Sequence, residues 1–77
     1  MTIEGTIETA RMIKNSAGEE YLHCTCKGRT FICNDEILAK KVLDSVGIYG
    51  IFLYGFFQLG GFRPKANTYY LKDWTKA

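Results

Sequence analysis

The residues with the most chemical potential in this 77-residue chain fall close together: His23, Cys24 and Cys26, with Cys33 shortly after. Imidazole and thiolate are common zinc ligands and, within hydrogen-bond reach of each other, supply the base and nucleophile of covalent catalysis. Their spacing argues against both uses. One residue separates Cys24 from Cys26, whereas zinc knuckles leave two to four between the pair. Neighbours along a strand also point to opposite faces, which turns His23 away from Cys24. No strand–turn–helix nucleophile motif is present, and Gly60-Gly61 precedes a strand, so a phosphate-cradling loop is not expected. Three reduced, half-buried strand cysteines are expected, with no metal, no cofactor and no enzymatic activity.

A second set of residues offers recognition instead of catalysis. Five Phe, five Tyr and one Trp make the chain rich in rings for its length. Some must fill the core, because large rings bury much area per residue, but rings also stack on bases and fill partner pockets. Phe62, between Gly61 and Arg63 in a glycine-rich stretch, has little local reason to be buried. It either folds back over one end of the domain or anchors a partner. Lys and Arg total ten against eight acids, a net charge of +2. That is far from the dense basic surface of a strong nonspecific nucleic-acid binder.

These side chains need a scaffold, and the pattern supplies a mainly β one with a single helix. Hydrophobic residues at 47% and charged residues at 23% describe one ordinary globular domain over residues 1–77. Thr2 to Ile13 alternates as a half-buried strand, with Ile3, Gly5 and Ile7 on one face and Gly5 marking a bend or bulge. Lys14 to Glu19 is a turn. Glu20 to Lys27 is the next strand, with Leu22, Cys24 and Cys26 inward and Tyr21, His23 and Thr25 outward. Gly28 breaks it, and Arg29 to Cys33 is a short third strand. Asn34-Asp35 caps a helix of about three turns whose apolar stripe is Leu38, Val42 and Val46, widened by Ile37 and Leu43 and closed by Gly47. Ile48 to about Leu59 is a strand apolar on both faces, Ile51, Leu53 and Phe57 on one and Phe52, Tyr54 and Phe56 on the other. A loop over 60–67 leads to a last strand, Thr68 to Trp74.

Three meandering strands, a helix and two strands is an order that resembles the OB-fold, a small five-stranded Greek-key barrel. The resemblance spans nearly the whole chain and is one of element order, without a diagnostic motif. Other small barrels, or a plain sheet with a helix across it, have the same order. The resemblance implies a ligand face on the second and third strands, flanked by the loops after the first and fourth. Here that face would hold Tyr21, His23, Arg29 and Phe31, with Lys14 from one loop and Phe62, Arg63 and Lys65 from the other.

Rings with scattered cations suit single-stranded nucleic acid, since bases stack on the rings and cations track the phosphates. A non-enzymatic module binding single-stranded DNA or RNA is therefore the first functional expectation. The alternative is a small protein-binding inhibitor or accessory subunit, of the kind a phage or mobile element encodes, acting through exposed aromatics. A homodimer through the apolar fourth strand is a companion expectation, because so small a core is marginal alone. The amino terminus lacks a signal-peptide pattern, and Val46 to Phe57 is too short to span a membrane as a helix. A cytoplasmic location without membrane contact is expected.

Overall fold

The computed structural model describes residues 1–56 and 67–77. Within them the element order is β1 (Thr2–Thr6), β2 (Thr9–Lys14), β3 (Glu20–Cys26), β4 (Arg29–Cys33), α1 (Glu36–Leu43), β5 (Tyr49–Phe56) and β6 (Thr68–Lys76). The protein is mainly β with one helix among the described residues, as its patterning indicates. The expected first strand is divided: β1 pairs with β5 and β2 pairs with β3. The six strands form one sheet in the order β1-β5-β6-β4-β3-β2, so the two halves of that opening segment occupy opposite edges.

Ile7 and Glu8, the short link between those edges, are held on both sides. The Ile7 amide donates to the Ile48 carbonyl at 3.2 Å, and the Glu8 amide donates to the Thr25 carbonyl at 2.9 Å. Gly5 does not make the bend itself. It is a point of close approach, where a Cβ would run into the Cys26 Sγ.

Local chemistry sets each turn. Asn15 Oδ1 accepts from the Ala17 and Glu19 amides at 2.9 and 3.0 Å, and Gly18 takes a φ of 83°. Between β3 and β4 the turn is only Lys27-Gly28, both at positive φ (51° and 74°), which is the two-residue hairpin geometry that follows sheet twist. It fixes Cys26 opposite Arg29 and Cys24 opposite Phe31. The last two strands pair antiparallel with a register shift between Leu53 and Tyr54, and β6 lies parallel to β4.

Asp35 caps α1, its carboxylate accepting from the Ile37 and Leu38 amides at 2.9 and 3.1 Å. The helix is shorter than its apolar stripe suggests and stops at Leu43, where Asp44 donates its amide back to the Lys40 carbonyl. Ser45 Oγ also donates to the Lys41 carbonyl at 2.7 Å. Val46 therefore falls beyond the last turn and is exposed, and Ile37 is on the wet side at 83% exposure. Leu38, Ala39 and Val42 carry the burial. They pack into a core that includes Ile7, Leu22, Cys24, Phe31, Phe52 and Trp74.

Candidate nucleic-acid interface

Strand parity divides the sheet into an inner and an outer face. Leu22, Cys24 and Cys26 on β3 are buried and inner; Tyr21, His23 and Thr25 alternate with them, half-buried on the outer face. The pairing then carries each face across the sheet. Arg11 is opposite His23, His23 opposite Ile32, Ile32 beside Tyr70, and Tyr70 opposite Gly55. Four strands thus place cation, imidazole, aliphatic chain and phenol in one row. Gly55 leaves a gap that the Lys72 side chain occupies, its Cε 2.9 Å and Nζ 3.3 Å from where a Cβ would stand. A cation therefore flanks the row at each end.

On one side of this row, Tyr21 sits opposite Ile13. On the other, Thr9, Thr25 and Thr30 form a parallel row that runs into Thr68, which is buried. Thr9 and Thr25 share a hydrogen bond of 2.7 Å between their Oγ1 atoms. The outer positions of β2, β3 and β4 hold no carboxylate. Arg11 and Lys72 form no ion pair among the described residues, which leaves their charge available to an anion.

Of the residues expected on the ligand face, Tyr21 and His23 are on it together. Phe31 is not. It is fully buried, because its place opposite Cys24 puts it on the inner face, where it stacks on Phe52 with ring centroids 5.1 Å apart. Arg29 shares that inner parity, opposite Cys26, and is half-buried at the end of the hairpin. Lys14 pairs with Glu20 at 3.8 Å. It also lines a cleft of about 340 Å³ together with Asn34, Asp35 and Glu36, acidic surroundings that repel a phosphate. Phe62, Arg63 and Lys65 lie outside the described residues. Arg11, Ile32 and Lys72 carry no expectation from sequence, and Tyr70, which with Tyr69 and Trp74 reads in sequence as either barrel closure or a second aromatic patch, joins them on the outer face in place of Phe31 and Arg29.

The thiols are core groups. Cys24, Cys26 and Cys33 are free and buried. Burial, reinforced by the neighbouring thiols Cys33 and Cys26, pushes Cys24 up to about 12. Burial also raises Cys26 and Cys33, the latter partly offset by the Asp35 amide, which donates to its Sγ at 3.2 Å. Because thiolate is the reactive form, native protein at pH 8 is expected to take up iodoacetamide at none of the three until denaturant is added. Mass spectrometry before and after urea checks this. The same shifts have a stability consequence. A folded pKa above the unfolded value near 8.5 leaves stability intact below pH 8.5 and removes it as pH rises towards 12, at about 1.4 kcal/mol per pH unit for Cys24.

Among the described residues no group of three or more His, Cys, Asp or Glu is placed to hold a metal ion, and no helix is long and apolar enough to cross a membrane. Comparison with known protein families, curated proteins and solved structures gave no match to the chain.

Proposed function

We propose that this protein is a non-enzymatic OB-like module that binds single-stranded nucleic acid across the outer face of β2, β3, β4 and β6. The observation carrying the reading is the row Arg11–His23–Ile32–Tyr70, with Tyr21 beside it and cations at both ends. Flat side chains on a pleated face accept unstacked bases, and Arg11 and Lys72 neutralise the phosphates that pass them. Support for the OB-like reading comes from the pairing order. One divided strand serves both sheet edges, and the strand before the helix lies parallel to the last strand. Three reduced core thiols suit a cytoplasmic setting.

Anisotropy titration with a labelled 12-nucleotide strand at two salt concentrations tests the proposal. Stacking contributes about 1–3 kcal/mol per base, so Tyr70→Ala is expected to weaken binding roughly 5- to 150-fold. With two phosphate contacts the slope of log K against log salt is expected near −1.4, falling by about 0.7 in Arg11→Gln. Absence of binding to any DNA or RNA below tens of micromolar at low salt would sink the proposal.

A second reading, a protein-binding accessory module or homodimer of phage or mobile-element type, is favoured by one observation. Tyr49, Ile51 and Leu53 recur at every second position of β5 and are 48%, 36% and 41% exposed. An apolar stripe of this kind suits a protein surface better than phosphates. Concentration-dependent sedimentation, lost in Ile51→Lys, would support that reading, and a strict monomer at high concentration would count against the homodimer.

A further inference from the structure

We infer that the preferred ligand of the outer face is RNA, its ribose 2′-hydroxyls turned towards the row of threonine hydroxyls. The inference rests on the nucleic-acid reading above and names the ligand class it leaves open.

Two parallel rows cross the strands on the same face. One is Arg11–His23–Ile32–Tyr70 and the other is Thr9–Thr25–Thr30–Thr68. Each threonine stands two residues from a member of the first row on its own strand, so the rows lie about 6.6–6.8 Å apart. The offset between a base ring and its own 2′-hydroxyl, extended by one hydrogen bond, spans a gap of this order. A strand whose bases lie over His23, Ile32 and Tyr70 has its sugars over Thr25 and Thr30. The alternation of the sheet makes this juxtaposition, since a one-residue step would have moved the threonines to the inner face.

The chemistry of the second row selects ribose. Each hydroxyl both donates and accepts, as does a 2′-hydroxyl, the group by which a protein tells RNA from DNA. Thr9 and Thr25 are bonded to each other at 2.7 Å. A shared bond of that kind consumes one proton and leaves the other hydroxyl hydrogen, with lone pairs, for a ligand. Thr25 and Thr30 are half-buried, so part of each side chain reaches the solvent side of the sheet. Among the described residues Arg11 and Lys72 are the cations flanking the base row, and the threonine row is neutral. Discrimination then falls to neutral hydrogen bonds, whose short reach makes them sensitive to a single missing oxygen.

Matched labelled 12-mers of oligo(U) and oligo(dU), which differ only at the 2′ position, test this against wild type and Thr25→Val/Thr30→Val. Valine keeps the shape and strand preference of threonine, and thermal melting by circular dichroism verifies that the fold is retained. Wild type is expected to bind oligo(U) about tenfold more tightly, from two hydrogen bonds of ordinary strength. In the double variant the ratio is expected to fall towards one through loss on the RNA side alone. Equal binding of the two strands by wild type, or an unchanged ratio in the variant, overturns the RNA preference and leaves the nucleic-acid reading standing. Binding of neither strand overturns both.

Discussion

Replacing Phe31 by alanine is expected to remove a large part of the domain's stability, with no separate effect on ligand affinity. The Phe31 ring is fully buried. It stacks on Phe52 at 5.1 Å, meets Tyr54 edge-on at 5.3 Å and lies 6.0 Å from Tyr69. Removing a buried Phe costs about 3–5 kcal/mol, from lost transfer energy and the cavity left behind. A chain of 77 residues has a total stability of only about 4–12 kcal/mol. Urea unfolding followed by circular dichroism should show the midpoint collapsing in Phe31→Ala and moving about half as far in Phe31→Leu. An unchanged midpoint with weakened oligonucleotide binding would instead put this ring on the ligand surface.

Gly50→Ala is the second large effect, and it acts by overfilling. A Cβ at Gly50 would stand 2.5 to 2.6 Å from the Cε2, Cζ2 and Nε1 atoms of Trp74. Neither side can give way. Trp74 is 2% exposed, and the Gly50 backbone is paired on both flanks, with Gly5 of β1 and Lys76 of β6. Overpacking of this kind costs about 1–3 kcal/mol or more. A lowered melting temperature and a weakened near-ultraviolet signal from the single Trp should report it.

Gly55→Ala is the internal control. Its closest neighbours are the Cε and Nζ of Lys72, the far end of a flexible side chain that can swing aside. Trp74→Phe combined with Gly50→Ala is expected to recover part of the loss. The smaller ring clears the contact, and the exchange also removes a buried indole nitrogen that has no hydrogen-bond partner among the described residues. Equal destabilisation by the two glycine substitutions would mean that the contact with Trp74 is not what excludes a side chain at Gly50.

Architecture was more legible than the site, for reasons visible in particular residues. Period-two alternation marks Leu22, Cys24 and Cys26 as inner, and their burial follows that pattern; on β5 it separates Ile51 and Leu53 from Phe52 and Tyr54 without saying which pair is buried, because both sets are apolar. Misplacement of Phe31 and Arg29 arose where parity had to be carried through a turn. Gly28 reads as a strand breaker, but the turn is the pair Lys27-Gly28, both at positive φ. Counting across two residues puts Arg29 opposite Cys26 and Phe31 on the inner face; treating the break as unstructured loses that count. Arg11 and Tyr70 reach the outer row through strand pairing alone. Nothing near them in sequence marks them, and they join His23 only through lateral pairing, one of those pairings parallel and closed by residues 38 positions apart. The excess length read into the helix came from Val46, apolar at helical spacing but placed after the Ser45–Lys41 bond has ended the last turn.

The link through Ile7 and Glu8 also bears on the order in which the chain can assemble. β2, β3 and β4 are joined by short turns and need no residue beyond Cys33 to pair with one another. β1, although synthesised before them, has β5 as its strand partner, with Thr2 opposite Leu53. Its docking must await the second half of the chain and closes a loop of some fifty residues, a contact of high sequence separation that slows folding. During synthesis β1 is thus kept waiting, its Ile3 and Ile7 uncovered until β5 arrives. A destabilising change in β5 would then lengthen the life of a partly paired meander rather than of a fully unfolded chain.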